Sequence, residues 1–303
     1  MELGVALPTS ARYASAESIV RIAQEAERLG YRSLWTYERL LYPIAGISQP
    51  DGSSWQLPES YKSTYEPIET LSYVAAHTQS IKLGTSIVNV PFQSPVLLAR
   101  RFATLDRLSH GRVIAGLGQG WMPQEFATSN VSLNERGARL EEYIAALRAA
   151  WGPDPVSYEG HFYSIPASLI NPKPVQPGGI PILLGFNTTA ALRRAARLAD
   201  IINPIASTFE ALERTVLAFR AAAREAGRDP SVLKVIVRAN VPIIASPLPD
   251  GKRPLLGGSP AQIAQDLARV QSLNVDEVFF SDQASSTVEE AVQRLQEIQT
   301  AVR

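Results

Sequence analysis

Glu38 and Arg39 close the stretch Arg32-Ser33-Leu34-Trp35-Thr36-Tyr37-Glu38-Arg39, an apolar strand that ends abruptly in charged and aromatic residues. A carboxylate at such a place can give or take a proton if its surroundings exclude water, because a low dielectric raises its pKa toward neutrality. With Tyr37 on the strand, Tyr42, Trp55, Tyr61 and Tyr65 in the segment that follows can fold over the mouth and supply that environment. The competing account of Glu38-Arg39 is a solvated ion pair, which would do little.

Two further groups could bind a ligand. Gly116-Leu117-Gly118-Gln119-Gly120-Trp121 follows an apolar strand, but Met122-Pro123 comes where a dinucleotide-binding turn would start its helix. It reads either as a backbone-rich loop that a flat ligand can approach closely or as a turn that needs positive φ. Gly185-Phe186-Asn187-Thr188-Thr189 stands between a strand and a helix, where N–H groups, hydroxyls and the positive helix end suit a phosphate. An ordinary N-cap by Asn187 or Thr188 is the alternative. His77, His110 and His161 are spread over a helix end, a helix C-terminus and an irregular segment, so they form no metal set. No Gly-x-Ser-x-Gly elbow supports a serine hydrolase, and no acidic spacing marks a glycosidase.

The elements that must position these residues alternate between strand and helix. Strands are expected at residues 1–8, 33–37, 81–90, 113–117, 181–184, 200–203, within 233–244 and at 277–280. Ser15 caps a helix with Ile19, Ile22, Ala23, Ala26 and Leu29 on one face and Gly30 at its end; others start at Pro67 and at Ser94-Pro95. Leu140, Tyr143, Ile144, Leu147 and Trp151 mark a fourth helix, and residues 189–198 a fifth. Capping boxes at Ser207/Glu210, Ser259/Gln262 and Thr287/Glu290 start the last three. Eight strands each followed by a helix specify an α/β fold, a (β/α)8 barrel of the TIM type, whose strand C-termini carry the chemistry. Two segments break the rhythm, a loop at 40–66 and an insertion at 154–179 that ends in Asn171-Pro172-Lys173-Pro174-Val175-Gln176-Pro177; both are expected over the active face.

Composition narrows the partners. A chain of 303 residues suits one barrel domain over 1–303, since such barrels need about 250. Lys plus Arg equals Asp plus Glu at 29 each, which removes the basic excess that would attract nucleic acid or an anionic membrane. A small molecule is the expected partner. With no cysteine there is no disulfide framework, thiolate zinc site or cysteine nucleophile. The first eight residues lack the features of a signal peptide and no stretch approaches the ~20 apolar residues of a membrane span, so a cytoplasmic location is expected.

In their order, several pieces resemble the bacterial luciferase-like monooxygenase superfamily, and within it the flavin and deazaflavin oxidoreductases of actinobacterial type. They are Ala26-Glu27-Arg28-Leu29-Gly30-Tyr31-Arg32-Ser33-Leu34-Trp35, Lys82-Leu83-Gly84-Thr85-Ser86-Ile87, residues 103–112, 116–126 and 173–177, and the resemblance covers essentially the full length. The resemblance implies a barrel that binds the deazaflavin F420 or, alternatively, FMN. It implies a non-proline cis peptide at Ser86-Ile87 behind the ring, Gly118 and Gln119 beside it, and Gly185, Phe186, Asn187 and Thr188 at the phosphate. Many relatives carry Asp-His at the end of strand two where this chain has Glu38-Arg39, so Glu38 is the expected acid or base, with Arg39 holding its charge or meeting an anionic cofactor tail.

The resulting expectation is an enzyme that moves a hydride between reduced F420 and a small, largely apolar substrate. The alternatives are an FMN-dependent monooxygenase, usually fed by a separate reductase, and a flavin-binding barrel that does not turn its cofactor over. A hydrolase or aldolase is disfavoured because no lysine, metal set or serine elbow marks it. Dimers are common among such barrels, and the sequence leaves the oligomeric state open.

Overall fold

A computed structural model describes residues 1–10, 12–48, 51–249, 251 and 253–302. Eight parallel strands, β1 (Glu2–Ala6), β2 (Ser33–Thr36), β3 (Lys82–Thr85), β4 (Val113–Gly118), β5 (Ile182–Leu184), β6 (Ile201–Ile202), β7 (Lys234–Val241) and β8 (Glu277–Asp282), pair in sequence order. Pairing of β8 with β1 and of β4 with β5 completes a closed barrel. Its outer ring is α1 (Ala16–Leu29), α2 (Pro67–Ala75), α3 (Pro95–Leu108), α4 (Arg136–Trp151), α5 (Thr189–Leu198), α6 (Phe209–Glu225), α7 (Pro260–Gln271) and α8 (Val288–Val302).

Side chains alternate along each strand between barrel interior and helical ring. Leu34, Leu83, Val113, Val235, Val237 and Phe280 join the helices in the large outer core, whereas Trp35, Ile114, Leu183, Ile201, Ile236 and Phe279 fill the barrel. Trp35 stacks on Phe279 with ring centroids 4.9 Å apart. Its indole also dictates the residue on the neighbouring strand, since a Cβ on Gly84 would lie 2.3 Å from the ring.

Local signals set most boundaries, with three corrections. The third strand does not run from 81 to 90: it breaks after Thr85, the Ser86-Ile87 peptide is cis, and Val88–Asn89 resumes pairing against the end of β4. Helix α6 is capped by Thr208, not by a Ser207/Glu210 box, because the Thr208 side chain meets the Ala211 N–H. Ser259 and Gln262 do form a reciprocal box, while Glu290 reaches past Thr287 to the Ser286 N–H at 2.8 Å.

The 154–179 segment lies elsewhere than expected. It leaves the C-terminus of α4 and leads into β5, so both its ends sit at the N-terminal end of the barrel, away from the strand C-termini. Its antiparallel hairpin, Val156–Glu159 with Ser164–Ser168, lies against α4, where Glu142 accepts the N–H groups of His161, Phe162 and Tyr163. Its Pro-rich end is pinned by the buried Asp106 carboxylate, which accepts from Val175 N at 2.8 Å and Gln176 Nε2 at 2.8 Å. The 40–66 loop does fold over the strand C-termini, with Ile47 and Leu57 packed on Met122 of the β4 loop; residues 49 and 50 lie outside the described set.

Inside the barrel, near its N-terminal mouth, Glu277 is only 4% exposed and accepts hydrogen bonds from Ser33 Oγ and, at 3.0 Å, from Trp35 Nε1. Burial raises this carboxyl from 4.5 to about 7. A folded-state pKa above the unfolded one means that the neutral acid favours folding and that stability falls as pH rises through this interval. Glu277→Gln keeps the acceptor and cannot ionise, so at about pH 8 it is expected to exceed the wild type by on the order of 2–3 kcal/mol. The gap should close toward pH 4.5, the ordinary value of a glutamate carboxyl. Urea unfolding at both pH values checks this; a gap that does not change with pH would contradict it.

Candidate active site

At the strand C-termini, Tyr37, Ser86, Gly118 and Gly185 line one hollow of about 310 Å³, near the lower end of the roughly 300–1,000 Å³ usual for small-molecule pockets. Of the residues singled out from sequence, Glu38, Ser86, Ile87, Gly118, Gln119, Gly185, Phe186 and Asn187 all face it. Thr188 does not; its hydroxyl accepts the Ala191 N–H at 3.1 Å and caps α5. Gly185 N–H is used by Leu117 O at 3.4 Å, whereas the N–H groups of Phe186 and Asn187 carry no hydrogen bond among the described residues. Those two free donors, at the start of a helix, are suited to an anion.

The Ser86-Ile87 unit forms one wall, and every polar group on Ser86 is held. Its N–H donates to Thr36 O at 2.6 Å, its hydroxyl to Asn203 Oδ1 at 2.6 Å, and its carbonyl accepts from Arg238 Nη1 at 3.0 Å. Asn203 is fixed in turn by Ile236 O at 2.7 Å, and Arg238 by Asn240 Oδ1 at 2.7 Å. Opposite, Gly118 tolerates no side chain, since a Cβ there would lie 2.4 Å from Ile87 Cγ2. The glycine lets the Ile87 side chain pack flush on the end of β4, which fixes this wall of the hollow.

Glu38 stands just past β2 and is 8% exposed. Its Oε2 accepts the Asn89 N–H at 2.7 Å, and Gln93 Nε2 approaches Oε1 at 3.5 Å. Burial dominates and raises the carboxyl to about 7; the bond from Asn89 opposes the rise, and the charges of Glu66 and Glu125 add to it. A group so poised can act as acid or base near neutrality.

Arg39 does not hold the charge of Glu38. It pairs at 3.1 Å with Glu125, whose side chain is fully buried, and its guanidinium lies 5.4 Å from the Tyr61 ring centroid and 5.2 Å from that of Trp121. This arrangement ties the 40–66 loop to the β4 loop and roofs the hollow. Tyr37 hydrogen-bonds Ser10, and burial pushes its phenol up to about 12. Of the other loop aromatics, Tyr61 lines the hollow, Tyr42 packs beside Leu57, and Trp55 and Tyr65 stay exposed.

Trp121, the last residue of the loop at 116–121, lines the hollow too, as do Arg238, Asn203 and Asn89, which were not singled out from the sequence. A signal existed for Arg238, a charge within the apolar run Val235-Ile236-Val237-Arg238-Ala239, and the structure gives it the inward parity of Ile236. Among the described residues no cluster of side chains could hold a metal ion, and no helix is long and apolar enough to cross a membrane.

A family model described as luciferase-like monooxygenase matches residues 1–249. An uncharacterized protein of Mycobacterium tuberculosis is 35% identical over 203 residues, covering 66% of this chain and 71% of the relative. An F420-dependent glucose-6-phosphate dehydrogenase of Amycolatopsis mediterranei is 30% identical over 203 residues, covering 65% of this chain and 56% of that enzyme. Among solved structures, monooxygenase RslO1 from Streptomyces bottropensis aligns with a TM-score of 0.82 at 22% identity, over 100% of this chain and 98% of that one. The coenzyme F420 dependent tetrahydromethanopterin reductase from Methanopyrus kandleri aligns at 0.79 and 18% identity, over 99% and 98%. At such identities the two structures speak to the fold alone.

Proposed function

Because the chain belongs to the luciferase-like monooxygenase family, we propose that it is an F420-dependent oxidoreductase acting on a small organic substrate at the strand C-termini. The observation that carries this reading is the hollow at the strand C-termini walled by Ser86-Ile87, Gly118 and Gly185, beside the free N–H groups of Phe186 and Asn187. These features fit a planar ring with an anionic arm, and the 30% identity to an F420-dependent dehydrogenase favours the deazaflavin. When bound, F420 supplies a ring carbon that carries hydride where a flavin has nitrogen, which favours two-electron transfer over oxygen activation.

In this reading Ser86, Ile87, Gly118, Gln119 and Gly185 seat the ring, and Phe186 and Asn187 meet the phosphate. Arg238, Asn203 and Thr36 keep the Ser86 peptide from moving. Tyr61, Trp121 and Arg39 exclude water, which strengthens each polar contact inside. Glu38 exchanges a proton with the substrate oxygen as the hydride moves.

The test is titration of purified protein with F420 and with FMN, followed by reoxidation of each reduced complex with and without oxygen. Tighter binding of F420 and substrate-dependent reoxidation that does not need oxygen are expected. Preference for FMN with oxygen-dependent product would replace this reading with a monooxygenase, and tight binding without turnover would replace it with a carrier.

A further inference from the structure

A second cavity, of about 830 Å³, opens at the opposite end of the barrel and is larger than the active-site hollow of about 310 Å³. The two are separated by the interior layer that contains Trp35, Leu183 and Phe279. Ile114, Ile201 and Ile236 face the cavity from inside the barrel, and Trp151 and Ile180 face it from α4 and the crossing segment.

Arg32, Lys82, Arg148 and Lys234 line it together with Glu2, Asp200, Asp276 and Glu277. Arg32 is paired with Glu2 at 3.3 Å and Arg148 with Asp200 at 3.6 Å, while Asp276 accepts the Val235 N–H at 2.8 Å. Glu277 is occupied by Ser33 and Trp35. Lys82 and Lys234 remain, and neither forms an ion pair among the described residues; Lys82 donates only to Gly111 O at 3.1 Å. Each lies two positions before an inward-facing residue, Gly84 or Ile236, so both ammonium groups belong to the interior face of the barrel mouth. Burial, followed by the charge of Arg32, holds the Lys82 ammonium below its ordinary pKa, with Asp106 opposing and Lys234 adding to the effect.

We propose that this N-terminal cavity is a second binding site, for a small organic acid whose apolar body lies on Ile114, Ile201, Ile236 and Trp151 and whose anionic head sits between Lys82 and Lys234. The site is independent of the proposed cofactor site, because the intervening layer is closed by packed side chains.

Anilinonaphthalene sulfonate, an aromatic body with one anionic head, is a fluorescent probe of this chemistry, and N-phenylnaphthylamine is its neutral counterpart. The wild-type protein is expected to bind one sulfonate probe per chain, at least about tenfold more tightly than the neutral one. The double variant Lys82→Met/Lys234→Met should weaken the sulfonate probe at least about tenfold and leave the neutral probe and F420 titrations unchanged. Equal affinities for the two probes, no saturable binding, indifference to the double variant, or displacement of the probe by F420 would each overturn the proposal. Should the double variant fail to fold, the comparison of the two probes on the wild-type chain decides alone.

Discussion

Glu38→Gln is expected to lower turnover by about 10²–10⁴ and to leave cofactor affinity within a few-fold of wild type. The amide retains an oxygen for the Asn89 N–H, 2.7 Å from the carboxylate in the wild type, so the loop geometry survives while the proton-transfer group is lost. The pH profile discriminates further, because the Glu38 carboxyl is raised to about 7 by burial. In the oxidative direction the carboxylate takes a proton and the rate rises with pH through that value; in the reductive direction the acid donates one and the rate falls. Either limb should vanish in the variant. Unchanged turnover with an unchanged limb would remove Glu38 from the chemistry.

Arg238→Met should weaken cofactor binding by about 10–100-fold, since it leaves a buried carbonyl without its donor at a cost of roughly 1–3 kcal/mol. The carbonyl is that of Ser86, to which Arg238 Nη1 donates at 3.0 Å while its guanidinium lies 5.2 Å from the Tyr37 ring centroid. Arg238→Lys keeps the charge but not the fork that reaches Ser86 and Asn240 together, so it should restore only part of the affinity. Fluorescence titration with F420 reads both variants. Wild-type affinity in Arg238→Met would mean that the Ser86 peptide does not depend on this bond.

The barrel and half of its site were legible for the same reason. In a parallel barrel the residue just past each strand lies at the working end whatever the chain does next, so Glu38, Ser86, Gly118 and Gly185 could be placed together once the strands were counted. Arg238 escaped because its strand was located only within 233–244, which fixes neither the parity nor the end of the strand. The partner of Arg39 escaped too: Glu125 sits on a six-residue helix, Pro123–Thr128, that no periodicity marks. The 154–179 segment was misplaced because an irregular segment carries no sign of which end of the barrel it serves. Its place follows only from order, since a segment between a helix and the next strand returns at the N-terminal end, and there it walls the cavity beside Lys82 and Lys234.

The central claim is that the C-terminal hollow seats a planar redox ring against Ser86-Ile87. A crystal structure of the protein with F420 tests it most directly. The ring is expected in the hollow against the Ser86-Ile87 unit, with the phosphate within hydrogen-bond reach of the Phe186 and Asn187 N–H groups. A ring bound in the N-terminal cavity, or outside the barrel mouth, would contradict it.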